Sequence, residues 1–269
     1  GLRGLQGPTG LRGLQGPTGT AGNTNIPSDI LSKLQNATSQ IVFKLGPNDS
    51  IYTGSGFYYY DTIQDLQYGY FITAAHNVIE ITNGVYYKTT KAYIQNPITT
   101  KWFSVDVNNI YVDGVADVAL IRTDINLTNY SQYCLKLNTG TVNAGDVCYL
   151  VGNPGGIDED SISSGCVRDP NNCDPNGYQI TNSILITSPG IGGNSGGPMI
   201  DDEGKWIGIL SWGVGNDGEL NGGVASYLAN AIFTYYMNNY SNSVVNFPKG
   251  YLGIYGAPMD VLLAVQNLQ

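Results

Sequence analysis

A mostly β chain is predicted by two features of the sequence. Thr, Val, Ile, Tyr and Gly are abundant, and short apolar, strand-like runs are separated by turns of Asn, Gly and Asp. Helical periodicity stands out in only two short segments. Length adds a third argument: once residues 1–24 are set aside, 245 of the 269 remain, enough for one domain with a sizeable core. The net charge is -9 and only 12% of residues are charged. This argues against nucleic acid as a partner, because binding phosphates calls for a basic surface. Solubility must rest on the many Asn, Ser, Thr and Tyr side chains. No run of 18 apolar residues occurs, so no helix of this sequence is long enough to span a membrane.

In chain order, residues 1–24 come first. Gly stands at 1, 4, 7, 10, 13, 16, 19 and 22 without a break, and Gly-Leu-Arg-Gly-Leu-Gln-Gly-Pro-Thr is present twice in succession. The segment resembles a collagen repeat, in which three polyproline II chains wind round an axis with room only for glycine. Pro8 and Pro17 favour that geometry, and the resemblance implies a homotrimer. The triple helix would be short, and low-complexity disorder in the monomer is the competing reading. Gly rather than Met at position 1 leads to the expectation that further repeats, and any signal peptide, lie upstream.

Residues 25–37 read as a linker with a short helix near Ser28 to Gln35, and residues 38–245 as the folded body. A second helix is expected from Ser226 to about Met237, where Leu228, Ile232 and Tyr236 fall on one face. Asp158-Glu159-Asp160 and Asp201-Asp202-Glu203 read as solvated turns in preference to a cation site. Of the four cysteines, Cys166 and Cys173 bracket a turn-rich stretch that a disulfide would close. Cys134 and Cys148 lie in strand-like surroundings and are expected as buried thiols. Neither a CxxC pair nor a His-Cys cluster points to zinc, so no metal is expected. Asn-X-Ser/Thr sequons occur at Asn36, Asn48, Asn126, Asn129 and Asn239, with chance as the alternative in so Asn-rich a chain.

The chemistry concentrates in Gly192-Gly193-Asn194-Ser195-Gly196-Gly197-Pro198. Glycine lets the main chain aim two N–H groups at one point, as a tetrahedral oxyanion requires, and Gly193 and Ser195 are the candidate donors. A serine hydroxyl is a weak nucleophile and needs a base. The chain has one histidine, His76, at the end of the apolar run Phe71-Ile72-Thr73-Ala74-Ala75. Asp117 is the only charge in Val115-Ala116-Asp117-Val118-Ala119-Leu120-Ile121, where an ionised carboxylate needs a hydrogen-bonding partner. It is the candidate that orients the imidazole. Each feature alone has a plainer reading: a satisfied core histidine, an aspartate capping a turn, a glycine-rich turn or anion loop. Together, in the order His, Asp, Ser, they form a known triad sequence.

Thr73-Ala74-Ala75-His76 and Gly193-Asn194-Ser195-Gly196-Gly197-Pro198 resemble the motifs of trypsin-like serine proteases. Asn194 stands where the digestive branch has an aspartate that pairs with a freed N-terminus, and Asn77 stands where that branch has a cysteine. The chain is therefore more similar to the Deg/HtrA type. Supporting stretches are Gly54-Ser55-Gly56-Phe57, Val151-Gly152-Asn153-Pro154, Trp206-Ile207-Gly208-Ile209 and Gly222-Gly223-Val224-Ala225, so the resemblance covers about residues 38–237. It implies a two-barrel chymotrypsin/trypsin-like fold with a C-terminal helix. It also implies a serine endopeptidase acting through an acyl-enzyme, with no cofactor and a protein or peptide substrate.

By the same resemblance, Ser211-Trp212-Gly213 would pair with an extended substrate. Pro189 and Ile191 belong to a pocket segment without an acid, from which cleavage after small or medium apolar residues is expected. Deg-type proteases are commonly trimeric, in agreement with the first segment, and they can rest with a collapsed oxyanion loop; the glycines of residues 190–194 permit either state. Lys249-Gly250-Tyr251-Leu252-Gly253-Ile254, in the tail 246–269, resembles the start of a PDZ module too short to be complete. A stalk of this kind fits a secreted, extracellular or virion-surface protein. The rival reading is a collagen-stalked structural or adhesive surface protein whose head only binds.

Overall fold

The computed structural model describes residues 26–60, 66–83, 85–114, 116–153, 161–173, 181–214 and 220–239. The collagen-like segment, Asp158-Glu159-Asp160 and the tail 246–269 lie outside the described residues. After helix α1 (Ser28–Ala37) the chain forms β1 (Thr38–Leu45), β2 (Ser50–Tyr59), β3 (Tyr70–Ala74), β4 (Ile79–Thr82), β5 (Val85–Lys88), β6 (Lys91–Gln95), β7 (Trp102–Val105), β8 (Ile110–Asp113) and β9 (Val118–Arg122). Then follow β10 (Lys136–Leu137), β11 (Val147–Gly152), β12 (Ser161–Cys173), β13 (Thr181–Ile186), β14 (Pro198–Ile200), β15 (Lys205–Val214), β16 (Leu220–Ala225) and helix α2 (Ser226–Asn239).

The strands make two seven-stranded sheets and a separate β4–β5 hairpin. The first sheet has the order β7-β6-β1-β2-β3-β9-β8. The second has the order β10-β15-β14-β11-β12-β13-β16, and β15 also pairs with β16, which closes six of its strands into a barrel.

Alternation along the strands explains how the two sheets meet. Successive side chains of a strand point to opposite faces, and both faces are apolar in the central strands. Tyr58, Phe71, Ala119 and Ile121 fill the interior of the first sheet, whereas Phe57, Tyr59, Ile72 and Leu120 belong to a different cluster. In the second sheet Cys148, Leu150, Ile207 and Leu210 line the barrel, and Tyr149, Val151, Trp206 and Ile209 join that same second cluster. This shared core therefore takes one face from each sheet. Trp206 is its largest fully buried side chain, with the rings of Phe57 and Tyr59 at 5.5 and 5.6 Å.

Both helices pack on this shared core. Helix α1 runs to Ala37, two residues beyond the expected end, because Leu34 and Ala37 are both fully buried. In α2 the buried line is Ala229, Phe233 and Tyr236, with Leu228 and Ile232 at its margin, so the inward face is displaced by one residue from the expected one. Tyr236 stacks on Tyr111 of β8 at 5.5 Å, and the Tyr59 hydroxyl donates to Asn230 Oδ1 at 3.0 Å. These contacts tie the last helix to the first sheet, and the shared core with Trp206, Ile209 and Val224 ties it to the second.

The disulfide expectation is overturned. Cys166 is a free thiol, and it and Cys173 lie along a single strand, β12, where seven residues of extended backbone separate them by roughly 20 Å, beyond the reach of an S–S bond. The turn-type residues between them are accommodated by register shifts against β13 after Val167, Asp169 and Asn172. Such shifts let a strand carry residues that a regular ladder would reject. Cys134 and Cys148 are buried free thiols, as expected, and burial pushes each up to about 12. Asp201 heads a turn in which its Oδ1 accepts the N–H groups of Glu203 and Lys205 at 2.9 and 2.8 Å.

Because Phe233 fills the seam between helix and sheets, Phe233→Ala should lower the unfolding free energy by about 3–5 kcal/mol in urea denaturation. A loss below about 1 kcal/mol would show that α2 is dispensable to the core.

Candidate active site

His76 follows β3 directly, in a short 3-10 turn over Ala75–Asn77. The strand delivers Ala74 and Ala75 into the core, and the turn lifts the next side chain outward: His76 keeps 44% of its side-chain surface exposed. Asp117 lies in the turn between β8 and β9, with φ at +54°. Aspartate is among the few non-glycine residues that tolerate the left-handed region. The main chain on either side is held: the Ala116 N–H donates to Asp113 Oδ1 at 2.9 Å, and the Ala75 N–H donates to the Asp117 carbonyl at 3.1 Å.

The carboxylate receives three donors. Asp117 Oδ1 accepts the His76 N–H at 2.8 Å, and Oδ2 lies 2.7 Å from His76 Nδ1. The Ser211 hydroxyl, from β15 of the other sheet, also donates to Oδ2. With the carboxylate as acceptor, Nδ1 carries the proton and Nε2 is left as the basic nitrogen. Burial pulls the His76 pKa down, but the Asp117 charge and its hydrogen bond pull it up, and the net shift is upward from 6.5.

Ser195 is brought to the same place by its backbone. Its carbonyl accepts from the Ser55 N–H and from Asn77 Nδ2, each at 2.9 Å, and Asn77 is the neighbour of His76 in the turn. Gly196, at φ +86°, lies so close to β2 and β3 that a Cβ there would stand 2.3 Å from the Ser55 carbonyl oxygen and from Thr73 Oγ1. Residues 191–194 form a turn closed by the Asn194 N–H on the Ile191 carbonyl at 3.1 Å. Gly193, its third residue, has φ +99°, whereas Gly192 is not in the positive-φ region; this is the φ pattern of a type II turn, and a type I turn would need a negative φ at Gly193. Among the described residues, no acceptor takes the N–H of Gly193 or of Ser195. Two main-chain donors on either side of Asn194 are therefore open to a ligand oxygen.

The expected substrate-facing residues border this centre. Ser211, Trp212 and Gly213 lie on β15 beyond the point where β14 stops pairing at Ile209, so among the described residues one edge of this stretch has no partner strand. The Trp212 ring lies over Gly222, where a Cβ would meet ring carbons at 2.2 Å. Pro189 and Ile191 are exposed, Ile191 by 62%. Little in the sequence marks the roles of Asn221, Ser55 and Asn77, or the second task of Ser211 on Asp117. Asn221 is 2% exposed, and its Nδ2 donates to the Ser188 carbonyl at 2.8 Å. Its Oδ1 lies 2.7 Å from where a Gly213 Cβ would stand and 3.2 Å from a Gly190 Cβ. The only sequence signal for Ser55 is its place within Gly54-Ser55-Gly56.

Residues 54–209 match the family described as Trypsin-like peptidase domain. No curated protein matches the chain. Among solved structures it is similar to the HtrA-type protease AlgW with tripeptide, at 17% identity and TM-score 0.62, over 79% of this chain and 64% of that one. It is also similar to the serine endoprotease from Yersinia pestis, at 15% identity and TM-score 0.60, over 79% of this chain and 66% of that one. A third is the Rv3671c protease from M. tuberculosis in its active form, at 19% identity and TM-score 0.60, over 78% and 84%. The chain thus spans just under two thirds of the first two.

As His76 is the only histidine, its imidazole can be titrated by NMR without assignment. The midpoint should lie above 6.5 and fall in Asp117→Asn. The sign for stability follows: a native pKa above the unfolded one gives a contribution fully present below pH 6.5 and lost as pH rises through the native value. A midpoint at or below 6.5 would contradict the Asp117 contact.

Proposed function

The chain belongs to the trypsin-like peptidase family, and on that premise we propose that it is a serine endopeptidase whose triad is His76, Asp117 and Ser195. The observation that carries this reading is the imidazole held by Asp117 through Nδ1, in the same turn whose Asn77 holds the Ser195 carbonyl. Nε2 is then the base that takes the Ser195 proton as the hydroxyl attacks the scissile carbonyl. The N–H groups of Gly193 and Ser195 receive the oxyanion, and the imidazolium formed is stabilised by Asp117. It returns the proton to the leaving amine, and water releases the acyl group by the same steps in reverse roles. The type II turn supports a resting site with the hole already formed.

An extended peptide fits the free edge of Ser211–Gly213 as an added strand. AlgW, a distant relative in fold, is described with a tripeptide. Asn221 narrows the space between Gly190 and Gly213 and brings no charge, which supports small or medium apolar side chains before the cleaved bond. Residues 1–24 are proposed to trimerise the chain as a collagen-like stalk, on a secreted, extracellular or virion-surface protein.

Ser195→Ala and His76→Ala should each lower turnover by about 10⁴-fold or more and leave the fold intact. Labelling by a fluorophosphonate should be abolished in Ser195→Ala; a wild type that never labels would favour the binding-only head. On a peptide library, dominant cleavage after Arg or Lys would refute the pocket assignment. Since the base must be neutral, kcat/KM should fall with acid on a limb centred above pH 6.5. Sedimentation of the full chain should give a trimer, and a monomer at micromolar concentration would remove the stalk's role.

A further inference from the structure

Ser55, on β2 of the first sheet, is fully buried, and each of its polar groups is committed to the nucleophile loop or to the residues beneath it. Its hydroxyl donates to the Gly193 carbonyl at 2.7 Å, and its N–H donates to the Ser195 carbonyl at 2.9 Å. The hydroxyl oxygen accepts the Asn153 N–H at 2.8 Å, and the Ser55 carbonyl accepts from Thr73 Oγ1 at 2.7 Å. Asn77 completes the set, its Nδ2 donating to Thr73 Oγ1 at 2.8 Å and to the Ser195 carbonyl at 2.9 Å.

The two open N–H groups belong to the 192–193 and 194–195 peptides, and the peptide between them is held at both ends. Its carbonyl is bound by Ser55 Oγ, and its N–H by the Ile191 carbonyl. Asn194 supplies no such anchor: it is buried and uncharged, and its Oδ1 has no hydrogen-bond partner. We propose that Ser55 and Asn77 are positioning residues, a neutral clamp from the first sheet that keeps the two oxyanion donors at fixed spacing. The clamp substitutes for a charged anchor at position 194, and its free-energy contribution appears when negative charge develops on the substrate oxygen. This rests on the reading of Ser195 as the nucleophile.

The test compares wild type with Ser55→Ala, Ser55→Thr, Asn77→Ala and Ser195→Ala. Each is assayed for turnover of a peptide anilide and for binding of a peptide aldehyde and of the matching alcohol. The aldehyde forms a hemiacetal whose oxygen needs the hole, and the alcohol does not. Ser55→Ala should lose about 10- to 100-fold in kcat and a similar factor in aldehyde affinity, as expected for a misplaced oxyanion donor. KM and alcohol affinity should stay within about threefold, and Ser55→Thr, which keeps the hydroxyl, should recover part of kcat. Unchanged kcat and aldehyde affinity in Ser55→Ala overturns the proposal, as does an equal loss for aldehyde and alcohol, which would mark general disruption. Should Ser55→Ala not fold, the same pattern is required of Asn77→Ala, and its absence overturns the clamp. A wild type inert in every assay, and indistinguishable from Ser195→Ala, overturns the parent reading instead.

Discussion

The Asp117 carboxylate, which takes hydrogen bonds from the His76 ring, the His76 main chain and the Ser211 hydroxyl, is where the two sheets are tied together at the site. A carboxylate withdrawn from water is costly unless donors replace its hydration. Here two donors come from the end of β3 and one from β15, so satisfying the charge also sets the position of the barrel against the open sheet. The left-handed backbone at Asp117 belongs to the same arrangement, because it takes the residue out of the alternation that begins at Val118.

Much of this centre is legible in the chain because its residues are few and locally marked. One histidine, a serine among glycines and an aspartate flanked by apolar residues leave little to choose among. Where Asp117 sits was harder: an apolar sequence on both sides reads as strand, and only the three-dimensional demand for donors reveals a turn. Ser55 and Asn77 were still less visible. They are common polar types, and what distinguishes them is contact with residues 138 and 118 positions away in sequence.

The cysteine pair shows the opposite error, a local pattern with too much weight. Asp, Pro and Asn between Cys166 and Cys173 suggest a closed loop, yet a long hairpin absorbs them as irregularities, and extended backbone keeps the two residues apart. The mostly β character and both helices were readable from composition and periodicity. The exact inward face of α2 was not, because the helix must satisfy two sheets, and its best contact lies one residue round from the line that periodicity alone selects.

The strands with apolar residues on both faces carry a consequence for how the molecule can come apart. Phe57, Tyr59, Ile72 and Leu120 on one side, and Tyr149, Val151, Trp206 and Ile209 on the other, have no water-compatible surface to fall back on. Neither half would be a tolerable object in solution without its partner, despite each having an interior of its own. Cutting the chain between β9 and β10 should therefore yield two fragments that are sticky alone and soluble only when mixed.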